Sequence, residues 1–359
     1  MTVPLGGRVA AGFEPVREAF AGLLASGAET GGALTVLLDG RPVVALHGGW
    51  TDHARTAVWR PDTLVNVFSV GKPVAALCLL TLVERGLVAL DDPVSRHWPG
   101  FTGEGVSVRH VLSHTAGLPA FPVERPARAF ADWGLLTGDL AAATPEWAPG
   151  TAAAEHALTY GHLVGELVRR ISGRTPGAFL AAEIAGPLGL DLGFGLPARA
   201  RTRCADPEFR DPGWAREVIG RPGSLRAAAL GNPAGWLDPA VLGTSWWRRA
   251  EVPAVNLHAS ASGLAGLYAA LLGGRLLGAE LTDEAVRTQY EGHDLLLDRP
   301  VRWTLGMQLD DDGTWGMGGI GGSVGYADPA RGYTLGYVTR RLAGFERVDT
   351  LVEALHPCL

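Results

Sequence analysis

At 359 residues, with 47% hydrophobic and 19% charged content, the chain is long enough to bury a large core and too apolar to be disordered. A formal net charge of −6 leaves no basic footprint, which argues against nucleic acid and anionic membrane as partners. The three cysteines, Cys78, Cys204 and Cys358, form neither an even set nor a close pair, so neither a disulfide framework nor a metal site is implied, and no cofactor is expected.

In chain order, Phe13, Val16, Phe20, Leu23 and Leu24 recur at helical spacing and predict an amphipathic first helix ending near Gly27 and lying on a sheet. Residues 34–38 and 43–47 are β-prone runs joined at Asp39-Gly40, a strong hairpin signal. Residues 65–68 read as an extended lead-in to a largely apolar helix over 73–82, and 108–112 as a short helix before Ser113. Residues 125–186 alternate helical segments with Pro-Gly punctuation, including a helix over 157–172, whereas 190–246 show poor periodicity. Helices are expected over 261–272 and 283–290, strands over 302–309, 314–317, 323–327 and 332–340, and a closing helix over 346–354. Strands at both ends with helices between them predict one antiparallel sheet built from both termini, an α/β (α+β) chain with an inserted helical domain. The division expected is residues 1–60 with 295–359 for the sheet domain and 61–294 for the mainly helical one, with the active site at their interface. No basic run leads into an apolar one at the N-terminus, and no stretch of roughly 18 apolar residues occurs, so a soluble, cytoplasmic protein is expected.

The chemistry concentrates at 65–80. All but one of the 31 Lys and Arg residues are arginine, and the exception is Lys72, three positions after Ser69. An arginine stays protonated at ordinary pH, whereas a desolvated lysine can lose its proton and act as a base. Pro73 fits a first helical turn, and residues three apart on a helix are neighbours, so Lys72 projects beside the Ser69 hydroxyl. Ser-x-x-Lys is a working nucleophile and base. A second pattern, Gly321-Gly322-Ser323-Val324-Gly325, matches the Gly-x-Ser-x-Gly elbow of α/β-hydrolases, but the residues after it predict a hairpin rather than strand-turn-helix, and the match reads as accidental.

Phe68-Ser69-Val70-Gly71-Lys72, Leu112-Ser113-His114-Thr115-Ala116-Gly117-Leu118-Pro119, Pro149-Gly150-Thr151, Leu163-Val164-Gly165-Glu166, Gly186-Pro187-Leu188-Gly189-Leu190 and Gly318-Gly319-Ile320-Gly321-Gly322 together resemble the serine β-lactamase-like group. That group includes class C β-lactamases, family VIII carboxylesterases, D,D-peptidases and related acyltransferases. The resemblance implies a β-lactamase/transpeptidase-like fold, an antiparallel sheet flanked by N- and C-terminal helices with an all-helical insertion. It also implies an acyl-enzyme mechanism with Ser69 as nucleophile and Lys72 as general base. Two positions depart from the group's pattern. Where relatives carry a tyrosine, the best register places Glu155, and the nearest tyrosine is Tyr160; either is a candidate for the second proton transfer. The third motif corresponds to Met317-Gly318-Gly319, and Met317 can neither bind a carboxylate nor transfer a proton. The Ser69 and Ile320 N–H groups could form the oxyanion hole. Met317, Gly318, Gly319, Trp246, Trp247, Trp315 and His114 are the substrate-binding candidates, the tryptophans as the lining of an apolar pocket and His114 from the loop that it caps or packs.

The function expected is hydrolysis or acyl transfer on a small ester, thioester or amide, through acyl-Ser69. The partners expected are a small-molecule acyl donor and an amine or alcohol acceptor, with secondary metabolism as a setting and a monomer or homodimer as the assembly. The competing readings are a plain carboxylesterase or β-lactamase, and a binding protein that keeps the fold with little catalysis.

Overall fold

The structure is a computed structural model that describes residues 3–209 and 211–359. Its frame is a nine-stranded antiparallel sheet drawn from both ends of the chain. The strands are β1 (Leu5–Val9), β2 (Gly31–Leu38), β3 (Arg41–Gly49), β4 (Tyr290–Asp294), β5 (Arg299–Trp303), β6 (Gln308–Leu309), β7 (Trp315–Gly318), β8 (Val324–Asp328) and β9 (Tyr333–Thr339). Their order is β1-β3-β2-β9-β8-β7-β6-β5-β4, so the N-terminal hairpin joins the C-terminal meander through the β2–β9 pair. The hairpin turns at Asp39-Gly40, both with positive φ (48° and 74°), as a tight two-residue turn requires.

Alternation along the strands sorts the two faces. On β9, Tyr333, Leu335 and Tyr337 face helix α1 (Glu14–Ser26) and the C-terminal helix, sharing a core with Phe13, Val16, Phe20, Leu24, Val348 and Leu351. The opposite face carries the helical part of the chain. There α2 (Gly71–Glu84) is buried at every position from Gly71 to Leu82, and packs against α3 (Thr159–Ser172). Helix α4 (Ala261–Leu272) lies directly on β2, β8 and β9, with Thr334 donating its hydroxyl to the Ala265 carbonyl. The C-terminal helix α5 (Glu346–Leu355) closes the outer layer against α1. No helix among the described residues is long and apolar enough to cross a membrane.

The sequence misplaces several elements. β1 was not anticipated, because its Leu-Gly-Gly-Arg-Val sequence has little β-branched character, and pairing with β3 alone makes it a strand. The helix expected over 283–290 runs Ala279–Val286, after which Tyr290 opens β4. The single strand expected over 302–309 is two, β5 and β6, because the chain turns between them at Gly306, whose φ is +94°. The sheet layer also draws on residues assigned to the helical domain: β4 ends just before residue 295, and α4 packs on the sheet. Ser323 is buried at the start of a hairpin strand and its hydroxyl accepts the Thr339 N–H, so the Gly-x-Ser-x-Gly match has no elbow geometry.

A helix with this much buried surface should fix the core. Leu79→Ala in α2, at a position with no solvent exposure, is expected to cost about 2–5 kcal/mol of stability. Urea denaturation followed by circular dichroism measures it, and a loss below 1 kcal/mol would contradict the packing described.

Candidate active site

The lead-in strand Val65–Asn66 pairs with His258–Ala259 and delivers the chain to Ser69 through Phe68, which holds φ at +50°. A positive φ is strained for a bulky residue. The Phe68 ring is anchored between Trp214 and Trp236, at centroid distances of 6.5 and 6.3 Å, so packing enforces the backbone that presents the next residue. Ser69 sits in a turn immediately before α2 rather than in its first turn, and the Lys72 N–H closes that turn on the Ser69 carbonyl. The expected neighbour relation holds: Lys72 Nζ lies 2.8 Å from Ser69 Oγ.

Lys72 Nζ also lies 2.8 Å from Glu155 Oε1. The amine is wholly buried, while Ser69 and Glu155 keep slivers of exposure, 7% and 8%, both toward one cleft. Burial pushes the Lys72 amine below its ordinary 10.5, and the Glu155 carboxylate pulls it part of the way back. A lysine so placed can take a proton from one oxygen and share it with another.

The Glu155 segment has little helix of its own and is held from outside. The His114 carbonyl accepts the Ala154 N–H (3.3 Å) and its ring Nδ1 accepts the His156 N–H (3.0 Å), so one residue grips both amides flanking Glu155. His114 has φ at +62°, is fully buried, and stacks on Trp303 and Tyr160 at 4.4 and 4.6 Å. The His156 ring donates from Nδ1 to the Ala154 carbonyl and accepts the Leu118 N–H at Nε2. Burial pushes both imidazoles below the ordinary range, His156 to about 4, so both are neutral spacers near neutral pH. His114 thus does not line the cleft as expected; it positions the residue that does.

The cleft has a volume of about 770 Å³ and runs from Ser69 and Glu155 past Trp303, Met317 and Gly318 to Tyr326 and Phe345. Its wall on the nucleophile side is the free edge of β7, since β6 pairs only with Trp315 and Gly316. Gly319 comes so close to the lead-in strand that a Cβ would sit 2.2 Å from the Val67 carbonyl, which is why a side chain is excluded there. Among the described residues, neither the Ser69 nor the Ile320 N–H donates to a backbone carbonyl, and both residues line the cleft. Met317 packs with Ala153, Val301 and Trp303, adding an apolar wall and no charge.

Four expected site residues lie elsewhere. Tyr160 is fully buried in α3, donates its hydroxyl to the Leu112 carbonyl at 3.3 Å and is absent from the cleft lining, because it sits beyond the turn that carries Glu155. Trp247 is a core residue that donates its indole N–H to Asn66, and Trp246 is covered by Arg128. Trp315 packs on Tyr268 of α4 and is absent from the cleft lining. The aromatics that do line it, Trp303, Tyr326, Tyr333 and Phe345, carried no local signal, since their placement depends on strand pairing and on the seating of α5.

Residues 16–356 match the beta-lactamase family. Among curated proteins, the esterase/beta-lactamase LipL of Mycobacterium tuberculosis is 33% identical over 357 residues, covering 92% of this chain and 81% of that protein. Among solved structures, a family VIII carboxylesterase superposes with a TM-score of 0.91 at 31% identity, covering 99% of this chain and 100% of that one. A penicillin-binding protein homologue from Caulobacter crescentus superposes with a TM-score of 0.86 at 34% identity, covering 99% and 100% of the two chains.

The clasp around Glu155 makes a prediction. His114→Ala loses a buried acceptor and places a Cβ-only residue at positive φ, and is expected to lower stability by about 1–3 kcal/mol. His114→Asn, whose oxygen can replace Nδ1 and which tolerates left-handed backbone, should recover part of it. Thermal melts in the order wild type, Asn, Ala are expected; equal melts for Asn and Ala would remove the acceptor role.

Proposed function

This chain belongs to the beta-lactamase family and is a serine hydrolase, and from that premise we propose that it forms an acyl-enzyme on Ser69, with Lys72 as general base and Glu155 in the place of the family's tyrosine. The observation that carries this reading is the position of Lys72 Nζ, 2.8 Å from both the Ser69 hydroxyl and the Glu155 carboxylate.

Neutral Lys72 takes the Ser69 proton as Oγ attacks the carbonyl carbon of the substrate. Charge developing on the carbonyl oxygen meets the Ser69 and Ile320 N–H groups, which are fixed before the reaction begins. The proton now on Lys72 passes to Glu155, whose exposed edge reaches the cleft, and from there to the departing alkoxide. Water or an acceptor then attacks acyl-Ser69 with the same groups acting in reverse. Desolvation leaves Lys72 uncharged often enough to be free for a proton, and the Glu155 carboxylate keeps it basic enough to accept one.

The lining supports esters over β-lactams or peptides. Met317 supplies no cation for a substrate carboxylate, and beside the charged Arg299, Asp310 and Asp312 the cleft lining includes the apolar or aromatic Trp303, Met317, Val324, Tyr326 and Phe345. The solved relative described as a family VIII carboxylesterase agrees with this choice, whereas LipL is described as esterase and beta-lactamase both. Transfer to an amine is favoured over hydrolysis, since an amine with a free lone pair needs less help from a base than water does, and a bound acceptor gains from orientation.

Four measurements test the reading. Intact mass after fluorophosphonate treatment should show one adduct that Ser69→Ala abolishes, and Lys72→Met should slow acylation by about 10²–10⁴-fold; an adduct at normal rate in Lys72→Met removes the base assignment. The kcat/KM for an activated ester should rise with pH along a limb whose midpoint lies below 10.5, since activity needs Lys72 without its proton and burial lowers its affinity for one. Glu155→Gln removes the group that opposes that lowering, so its limb should move to lower pH while the plateau falls by about 10²-fold, with Tyr160→Phe near wild type; a plateau unchanged in Glu155→Gln and lost in Tyr160→Phe reverses the assignment. A chromogenic cephalosporin should turn over about 10–100-fold less efficiently than a short-chain ester, in line with one missing charge-assisted hydrogen bond, and added amines should appear in product; fast hydrolysis with no transfer leaves a plain esterase.

A further inference from the structure

The proposed oxyanion donor Ile320 belongs to a turn that is gripped from behind by a buried cation. Residues 319–322 form a turn closed by the Gly322 N–H on the Gly319 carbonyl at 2.9 Å, with Gly321 at φ +104° as the turn's third position requires. The Gly321 carbonyl accepts two hydrogen bonds, one from the Ala343 N–H at 3.2 Å and one from the Arg347 guanidinium at 3.0 Å. Arg347, on the first turn of α5, is 4% exposed, and its NH2 group lies so close under the turn that a Cβ on Gly322 would meet it at 2.8 Å. Its NH1 group donates to Thr339 Oγ1 at 2.9 Å and to Glu29 Oε2 at 3.2 Å. Glu29 is held in turn by the Tyr337 hydroxyl and by the Thr30 and Gly31 N–H groups.

Two peptide units therefore stand in series. The 321–322 unit receives Arg347 at its carbonyl and donates from its N–H to the Gly319 carbonyl. The 319–320 unit receives that bond at its carbonyl, and its own N–H is the one left free for an oxyanion. A cation on the first carbonyl polarises that unit, strengthens its N–H as a donor, and so polarises the second, an effect that hydrogen-bonded chains amplify in a low-dielectric interior. Building on the Ser69 reading above, we infer that Arg347 is a positioning residue for catalysis: through the Gly321 carbonyl it orients and polarises the Ile320 N–H, and Glu29, just before β2, anchors it at its other nitrogen. Loss of the guanidinium then weakens a donor that acts in the transition state and leaves ground-state binding of the ester alone.

The experiment compares wild type, Arg347→Met, Arg347→Lys and the Glu29→Gln, Arg347→Met double variant, with Leu355→Ala in the buried face of α5 as a destabilised control that does not touch the turn. Ester turnover is normalised to serine titrated by fluorophosphonate, and phenylboronic acid, which forms a tetrahedral adduct with an oxygen in the hole, reports the transition state. Arg347→Met should lower kcat per titrated serine by about five- to twentyfold, a fraction of the roughly 10²–10³-fold cost of losing a whole oxyanion donor, with KM within about twofold. Boronate affinity should fall by the same factor, and Arg347→Lys should recover part of both. The double variant removes the carboxylate that Arg347→Met leaves buried without its cation, so it supplies the same readout if the single variant is poorly folded. Leu355→Ala should melt lower with kcat per titrated serine unchanged. Normal kcat per titrated serine and normal boronate affinity in the Arg347 variants overturn the inference while wild-type turnover leaves the acyl-enzyme reading standing. A wild-type chain that neither turns over nor labels overturns both.

Discussion

A lysine with no exposure to water has to find all its partners inside the protein, and the arrangement around Lys72 follows from that demand. Its amine meets Ser69 on one side and Glu155 on the other. Neither partner comes from a rigid helix or strand. Ser69 is fixed by the strained Phe68 backbone and the tryptophans that clamp its ring, and Glu155 by the two amides that His114 accepts. The buried helix α2 supplies the one rigid position, and two loops are brought to it.

The cleft edge is built on a similar economy. The end of β7 carries no bulk at Gly318-Gly319, while Met317 packs in an apolar cluster and forms part of the cleft wall. Part of the cleft lining is apolar, with Trp303, Tyr326 and Phe345 arriving from three different segments. The ion pair of Arg347 and Glu29 joins the C-terminal helix to the residues just before β2, and Arg347 also holds the Gly321 carbonyl, so both chain ends are tied to the 319–322 turn.

Much of the frame could be read from local pattern. The Asp39-Gly40 hairpin, the buried helix after Ser69, the closing helix and the C-terminal meander each have a signal shorter than their own length: a turn dipeptide, an apolar run, a 3.6-residue period. β1 and the β5–β6 break had none, since a Gly-rich edge strand is made by its partner and a mid-strand turn by one backbone angle. The tryptophans show the same limit. Trp246, Trp247 and Trp315 are as apolar as Trp303, and only the packing of distant segments decides which of them meets the cleft.

Ser69 and Lys72 are three residues apart, and a turn leading into a helix places such residues together whatever the rest of the chain does, so the sequence alone determined that the serine and the lysine meet, along with the glycines at the strand edge. Glu155 was reached only by register against a pattern, and its contact with Lys72 exists because His114, 41 positions earlier, turns into left-handed backbone and grips the amides on either side of it. Arg347 stands 27 positions beyond Ile320 with no motif of its own, and Glu29 lies near the opposite end of the chain. The union of both ends in one sheet made them neighbours, because ion pairs and aromatic walls form between surfaces that meet only when the layers pack.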